Sequence, residues 1–406
     1  MPPTAIEPEH FDWLDYRKYT FSLGLTADAD VFLSGHSASC YDPSEGRVVV
    51  RGGVAEQCRT AYEKIGSLLE ACGLGPASVV HVVEYVTAEA VDRYPEIEGV
   101  RAEALREAQP AVSTVIVSRL LRRNAFVEIE VTARADAGLE ASATLGGEPG
   151  DRVPSAGGAA AAPAYSLSAA AGDVVYLSSM LPVDRRGELV DGGVDAQAEQ
   201  IYDNVDRVLA AAGMGPAHLV KTLDYVSVQG VADYKLTGRV RRDRLGPVYP
   251  AAAGIVTDRV AHPGALLQVD CIASRSLPHP VNPGWDRYEK LTYSPAVRAG
   301  DALFLSGLAA LDPTTQRAVH EGDIAAQAEF IYGNVLEVVR AAGGHPRSLV
   351  RTVEYVTGAG LARYRDTAPV RAGLLSAPYP ASTGVVCAGL LRPEFELEVD
   401  AMAVLS

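Results

Sequence analysis

Charged side chains recur at fixed spacing in three stretches of the chain, and their types suit the formation of ion pairs. In each stretch an arginine lies seven positions after a tyrosine, and a carboxylate lies upstream of both. The three sets are Glu84, Tyr94 and Arg101; Asp224, Tyr234 and Arg241; and Glu354, Tyr364 and Arg371. Acids and arginines that recur together favour buried ion pairs, because paired charges are the ones that proteins bury. A structural role is therefore the first interpretation, and ligand binding, with Arg371 as the candidate, is the second.

Histidine and cysteine offer further chemistry, but neither forms a recognisable catalytic pattern. His36 follows Gly35 where the third stretch has Leu308, and its alternatives are a titrating ligand contact or an incidental histidine. Cys40 and Cys387 have no histidine nearby in sequence to activate them, so small buried side chains are expected. The five cysteines are scattered and lack metal-ligand spacing. The sequence thus predicts no disulfide and no metal site.

The elements that position these residues also recur three times. A strand-like run (VFLSG, VVYLSS or LFLSG) precedes an amphipathic helical pattern that ends at glycine. A β-branched run (HVVEYVT, KTLDYVS or RTVEYVT), a second helix with a Pro-Ala pair, and an alternating strand follow. The repeated unit is therefore predicted as β-β-α-β-α-β, in the α/β (α+β) class.

Length and linker composition set the domain boundaries. A chain of 406 residues suits two to four domains. Gly/Ala/Pro-rich stretches predict linkers at 137–162 and 276–287, which leave module 1 at 1–136, module 2 at 163–275 and module 3 at 288–406. A sheet with helices on one face must bury its other face, so we expect an intramolecular pseudo-trimeric barrel with helices outside. Separate modules joined like beads on a string are the alternative.

Composition restricts the partners. Hydrophobic residues make up 48% and charged residues 21% of the chain, which are globular values. The formal net charge of -15 repels phosphate backbones, so a nucleic-acid partner is not expected. The chain has no run of about 18 apolar residues and no apolar leader, so no membrane association is expected and a cytoplasmic location is predicted.

A family resemblance rests on four features together: the strand that ends in Ser-Gly, the helix that ends in Ala-Gly, the Pro-Ala pairs near Pro110, Pro250 and Pro380, and the closing Glu-x-Glu strand. With these features the chain resembles the RidA/YjgF family of enamine/imine deaminases and L-PSP endoribonuclease-like proteins. The match covers nearly all of each module. The resemblance implies a trimeric barrel with ligand clefts between neighbouring units. It also implies hydrolysis of small imines or enamines without a cofactor.

One family feature is absent from the sequence. In the family's deaminases an arginine directly after Pro-Ala binds the substrate carboxylate, and its planar fork suits that task. Here that position holds Val112, Ala252 or Ser382. The resemblance therefore argues against a standard 2-aminoacrylate deaminase.

Other family positions are retained unevenly. The resemblance assigns the catalytic glutamate to Glu128 and Glu396, with Gln268 in module 2, and it assigns an aromatic hydroxyl to Tyr293. Gly35 and Gly307 keep a glycine that Ser179 replaces in module 2. Module 3 is thus the best preserved module and module 2 the most eroded. One or two working sites are predicted instead of three.

Hydroxyl groups take the place of the missing arginine in two modules. Ser382 and Thr383 are predicted to line a cleft and to suit a neutral or keto ligand, with a strand-initiating turn as the alternative. Ser113 and Thr114 are the weaker counterparts in module 1.

The predicted function is a small-molecule enzyme that uses a cleft glutamate for hydrolysis, deamination, elimination or tautomerisation, in a specialised biosynthetic pathway. A non-catalytic ligand-binding or scaffold pseudo-trimer is the alternative, and ribonuclease activity is disfavoured by the acidic charge. The expected assembly is a monomer that forms the pseudo-trimer by itself, or a low-order homo-oligomer.

Overall fold

A computed structural model describes residues 2–106, 108–136 and 165–405. The predicted linker 137–162 lies outside these residues. Each module begins with a β-hairpin and continues into a helix of 18 residues, whose apolar face packs on the sheet. The hairpin strands are Gly24–Ala27 and Asp30–Leu33, Ser168–Ala171 and Val174–Leu177, and Ala296–Ala299 and Ala302–Leu305. The long helices are Val54–Ala71, Val194–Ala211 and Ile324–Ala341.

The second half of each module contains a central strand, a shorter helix and two further strands. The central strands are Val79–Thr87, Leu219–Ser227 and Leu349–Thr357. The shorter helices are Tyr94–Ala104, Thr237–Leu245 and Thr367–Leu374. The strands that follow Pro-Ala are Ala111–Val117, Ala251–Thr257 and Ala381–Cys387, and the closing strands are Val127–Arg134, Leu267–Ser274 and Leu397–Val404.

The predicted order of elements is present in every module, with one addition. The strand after Pro-Ala precedes the closing strand and pairs in parallel with the central strand, as in Glu84 opposite Thr114. The closing strand lies between the hairpin and the central strand, antiparallel to both. The helical crossover that a parallel pair requires is the shorter helix.

The segment 276–287, predicted as a linker, contains ordered structure that belongs to module 3. His279–Val281 pairs with the first hairpin strand of that module, and Trp285 is buried in its core. Thr4–Ala5 adds to the module 1 sheet in the same way. Composition alone missed this short edge strand because three residues give no periodic signal.

Apolar side chains are buried on both faces of each sheet. One face packs under the helices and forms a separate core in each module. The opposite faces of the three central strands meet in a shared core that includes Tyr85, Tyr225 and Tyr355. Tyr225 and Tyr355 are hydrogen-bonded through their hydroxyls at 3.0 Å. The modules therefore bury one another, as the sequence predicts for a sheet with helices on one face.

The serine that follows leucine at the end of the second hairpin strand joins each pair of neighbouring modules. We call this residue the clamping serine and its contacts the serine clamp. Ser34 Oγ donates to Ser22 O within its module at 2.6 Å and accepts from Ser382 N of module 3 at 2.8 Å. Ser178 and Ser306 make the same contacts with modules 1 and 2, through Val112 N and Ala252 N. Contacts therefore run from module 1 to 2, from 2 to 3 and from 3 back to 1.

Candidate functional site

The three junctions between modules are built from equivalent elements. At each junction the strand after Pro-Ala in one module lies against the residue that follows the clamping serine in the next. The backbone contacts are Ser179 N to Val112 O at 3.1 Å and Gly307 N to Ala252 O at 3.0 Å, and Gly35 N donates to Thr383 Oγ1 at 2.9 Å. We call these junctions the 1–2 cleft, the 2–3 pocket and the 3–1 cleft.

The recurring arginines form buried ion pairs inside their own modules. Arg101 Nη1 lies 2.7 Å from Glu84, with Tyr94 donating to the same carboxylate at 2.8 Å. Arg241 pairs with Asp224, and Arg371 pairs with Glu354 at 2.8 Å. The first interpretation, that the recurring arginines and carboxylates form buried ion pairs, is therefore confirmed. Arg371 also donates through Nε to Thr20 at 3.1 Å, at the 3–1 cleft.

The strand register corrects the assignment of the module 3 glutamate. Glu128 lies opposite Tyr85, and Glu398 lies opposite Tyr355 in the same register. Glu396 precedes the closing strand, and its backbone N–H donates to Gln327 at 2.9 Å. The alignment of Glu396 with Glu128 is therefore wrong by two residues, because the Glu-x-Glu pattern overlaps itself in the run EFELEVD.

Polar side chains of modules 1 and 2 form hydrogen bonds across the 1–2 cleft. Gln268 Nε2 donates to Thr114 O and to Ser179 Oγ, each at 2.9 Å, and Ser179 Oγ donates to Asp270 at 2.6 Å. Thr114 N also donates to Ser179 Oγ at 3.2 Å. Ser113 approaches the same network, and its hydroxyl is 3.2 Å from His81. Ser113 and Thr114 thus lie where expected, beside an amide instead of a carboxyl group.

The 3–1 cleft brings together most of the residues that the sequence analysis selected. Glu128 lies against Gly35, where an added side chain would collide with its carboxyl group. Burial, followed by the charge of Glu130, raises the pKa of Glu128 to about 7. Thr383 donates to Glu130 at 2.6 Å, and Ser382 contributes its N–H to the serine clamp. The Thr383 hydroxyl therefore already has partners within the protein, whereas Ser382 contributes its backbone.

His36 is buried in module 1 and does not titrate near neutral pH. Its Nε2 lies 3.3 Å from Leu23 O, and burial, followed by the charge of Lys64, lowers the pKa of His36 to about 3. Cys387 is buried, and burial raises the pKa of its thiol to about 12, in keeping with the structural role predicted for it.

A cavity of about 170 Å³ lies in the 2–3 pocket. Glu398 and Gly307 of module 3 line it, and a side chain at Gly307 would collide with the carboxyl group of Glu398. Ala252 and Ala253 line it from module 2, where the other modules carry larger or hydroxylated side chains. Small residues on one wall and a glycine beside the glutamate therefore leave room for a ligand.

Aromatic residues form the outer wall of this cavity. Tyr293 packs edge-to-face on Tyr288 at 5.5 Å, and Tyr288 stacks against Trp285 at 5.9 Å. Burial raises the pKa of Tyr293, which keeps its hydroxyl protonated. Tyr293 and Gly307 thus lie in the same cavity as Glu398.

Two arginines that the sequence analysis missed also line the cavity. Arg287 lies over the ring of Tyr288 and its Nη2 is 3.5 Å from the Tyr293 hydroxyl, while its Nε is buried without a partner. Arg392 donates to Gln316 O at 3.2 Å. Neither follows Pro-Ala, so a search at that position alone could not find them. The neutral or keto ligand was predicted for the cleft of Ser382 and Thr383, which is the 3–1 cleft, and it stays a prediction there.

The carboxyl group of Glu398 is poised to hold a proton. Glu398 is 6% exposed, and burial, followed by the charge of Asp400, raises its pKa to about 8. The charge of Lys221, which also forms a buried ion pair with Asp400 at 3.0 Å, lowers the pKa of Glu398 but does not outweigh these causes. At neutral pH the group is therefore mainly protonated and able to act as a general acid.

The parts of the chain that the structure describes contain no group of three or more histidine, cysteine, aspartate or glutamate side chains arranged to hold a metal ion. No helix among them has the length and hydropathy needed to span a bilayer.

Comparison with known proteins agrees with the repeated fold. A crystal structure of a chorismatase superposes with a TM-score of 0.53 and 17% identity, over 81% of this chain and 93% of that one. A RutC family protein of Pyrococcus horikoshii is 26% identical over 110 residues, 27% of this chain and 85% of its own length. Reactive Intermediate Deaminase A of Arabidopsis thaliana is 35% identical over 107 residues, 26% of this chain and 56% of its own length.

The family model for Endoribonuclease L-PSP matches three consecutive segments of the chain, 17–135, 157–275 and 288–405. These segments correspond to the three modules, and together they cover most of the sequence. The resemblance drawn from the sequence is confirmed: the chain belongs to the Endoribonuclease L-PSP (RidA/YjgF) family, with three copies of its domain in tandem.

Proposed function

We propose that this protein is a hydrolase of a small, carboxylate-bearing cyclic molecule, and that catalysis takes place in the 2–3 pocket. The observation that carries the proposal is a buried Glu398, whose pKa burial raises to about 8, in a cavity that Arg241, Arg287 and Arg392 also line. The fold and family support a small-molecule enzyme in general terms.

The size and lining of the cavity favour this class of substrate. A cavity of about 150 Å³ is large enough for benzene, so the observed 170 Å³ accommodates a six-membered ring. Trp285, Tyr288 and Tyr293 offer aromatic surface to such a ring. The guanidinium groups of Arg287 and Arg392 suit a carboxylate, which forms charge-assisted hydrogen bonds with arginine.

The proposed step is acid-catalysed addition of water to an enol ether or enamine. Glu398 donates its proton to the carbon–carbon double bond, and the resulting cation is attacked by water. The adduct loses the alcohol or amine, and Glu398 recovers a proton from the attacking water. Tyr293 and Gly307 are proposed to complete the site, the tyrosine by hydrogen bonding and the glycine by leaving space.

A product assay with two substrates tests the proposal. The name of the chorismatase suggests chorismate, with pyruvate release as the readout. The name of a further relative, a human 2-iminobutanoate/2-iminopropanoate deaminase, suggests 2-iminobutanoate as the acyclic comparison, with ammonia release. Glu398→Gln should reduce turnover by about 100-fold or more, because the amide cannot donate the proton. Glu128→Gln and Glu396→Gln are matched controls outside the pocket and should retain most activity.

The alternative, a non-catalytic binding protein, gives a different result in the same experiment. Trp285 lines the cavity, so its fluorescence in a Trp13→Phe background reports binding of chorismate directly. Binding without product release above the Glu398→Gln level would overturn the proposed catalysis. Product release at the wild-type rate by Glu398→Gln would overturn the role of the glutamate.

A further inference from the structure

The same position of each long helix faces the loop that follows the hairpin. Each long helix has 18 residues, and the eleventh is Lys64, Asn204 or Asn334. In module 1, Lys64 is buried and its Nζ donates to Ser37 O at 2.7 Å and also to Ser39 O. The side chain thus holds the loop against the helix.

Module 2 has the same arrangement with a different donor. Asn204 Nδ2 donates to Leu181 O and to Val183 O, each at 3.0 Å. Leu181 and Ser37 occupy equivalent places in the loop, since Met180 and His36 lie opposite Val269 and Ile129 of the closing strands. Donation from the helix to two loop carbonyls is therefore common to modules 1 and 2.

Asn334 departs from this arrangement. It is only half-buried, it lines the 2–3 pocket, and within residues 165–405 its side-chain amide has no hydrogen-bond partner. The loop opposite it turns back on itself, because Leu311 N donates to Ala309 O at 2.7 Å. Ala309 corresponds to Ser37 by its register with Glu398. The carbonyl that would accept from Asn334 is thus satisfied inside the loop.

The turn in this loop also contributes to the cavity. Ala309 and Leu311 both line the pocket, together with Pro313. Asn334 therefore borders the same space as Glu398, Arg287 and Arg392, and its amide carries two N–H groups for which the described part of the chain provides no acceptor.

We infer that Asn334 is a specificity-determining ligand contact, whose amide donates a hydrogen bond to an oxygen atom of the bound molecule. That oxygen takes the place of the loop carbonyl that Lys64 and Asn204 bind in their own modules. This inference rests on the proposed function of the 2–3 pocket. It adds a hydroxyl or carbonyl oxygen, in addition to the carboxylate, to the chemistry of the substrate.

The first test uses no substrate and compares Asn334→Leu with Asn204→Leu, since leucine has nearly the same shape without the amide. Asn204→Leu should lower Tm by several degrees, because it leaves two buried carbonyls without their donor. Asn334→Leu should leave Tm unchanged. An equal loss in the two variants would show that Asn334 is structural and would overturn the inference.

The second test measures steady-state kinetics with chorismate. Asn334→Leu should raise KM by roughly tenfold, the effect of one lost hydrogen bond to the ligand, with a smaller change in kcat. The Asn204→Leu variant should keep the wild-type KM. An unchanged KM in Asn334→Leu, alongside a strong defect in Glu398→Gln, would remove this inference and leave the proposed function standing. If wild-type protein released no pyruvate, the proposed function would fail for chorismate, and the unfolding comparison would still decide whether Asn334 is structural.

Discussion

The 2–3 pocket and the 1–2 cleft are built from equivalent strands, yet the first contains a cavity and side-chain hydrogen bonds bridge the second. We call the first open and the second closed. The difference lies mainly in two coupled positions. Gly307 lies beside Glu398 in the open pocket, whereas Ser179 lies beside Gln268 in the closed cleft. A carboxyl group needs the space that glycine leaves, and an amide can bond with the serine hydroxyl that fills it. A pair of substitutions can thus turn a cleft that holds a cavity into a structural contact.

The largest expected effect comes from placing the serine and glutamine of the 1–2 cleft at the equivalent positions of the 2–3 pocket. The double substitution Gly307→Ser and Glu398→Gln should reduce turnover by about 10²- to 10⁴-fold, the usual contribution of a general acid. The reciprocal pair, Ser179→Gly and Gln268→Glu, is the control and should leave turnover near the wild-type value. Activity that followed the reciprocal pair instead would place catalysis in the 1–2 cleft.

A smaller effect is expected from the arginine that one junction has and the other lacks. Arg392 aligns with His262 at the 1–2 cleft. Arg392→Met should raise KM for the substrate by about 10- to 100-fold, because a charge-assisted hydrogen bond to a carboxylate is lost. His262→Ala should not change KM. Equal KM values in both variants would contradict carboxylate binding by Arg392.

The pH profile distinguishes the two glutamates. Because the raised pKa of Glu398 is about 8, a general acid at this position works when protonated, so kcat/KM should be flat at lower pH. Above pH 8 it should fall about tenfold per pH unit. Glu128 has a pKa of about 7, and Glu128→Gln should not move the break. A break near pH 7 that disappears in Glu128→Gln would assign catalysis to the 3–1 cleft.

The smallest effect on activity is expected at the closed cleft, where stability is the better measure. Gln268→Ala removes hydrogen bonds to Thr114 and Ser179 and should cost about 1–3 kcal/mol of unfolding free energy, as for unsatisfied buried groups. Urea denaturation measures this, and turnover should stay unchanged. If Gln268→Ala left the free energy of unfolding unchanged, the hydrogen bonds of this amide would not hold modules 1 and 2 together.

The sequence predicted the repeated module and its family well, because each signal occurs three times. Glu84 with Arg101 shows this best, since recurrence alone indicated a buried pair. The site was harder to predict. Glu396 was chosen over Glu398 because both glutamates fit the alternating pattern of EFELEVD. The pattern alone does not show which of them pairs with Tyr355 of the central strand. Arg287 was missed because it lies in a segment interpreted as a linker, and only folding brings it to the cavity.

The serine clamp joins modules 3 and 1 in the same way as the pairs that the chain connects covalently. Position along the polypeptide is therefore not what defines a neighbour in this assembly. A circular permutant that opens the chain between modules 1 and 2, and fuses the present ends through a flexible tether, should regain the same arrangement of modules. We therefore expect the three modules to reach the same arrangement from any order along the chain that keeps their cyclic order.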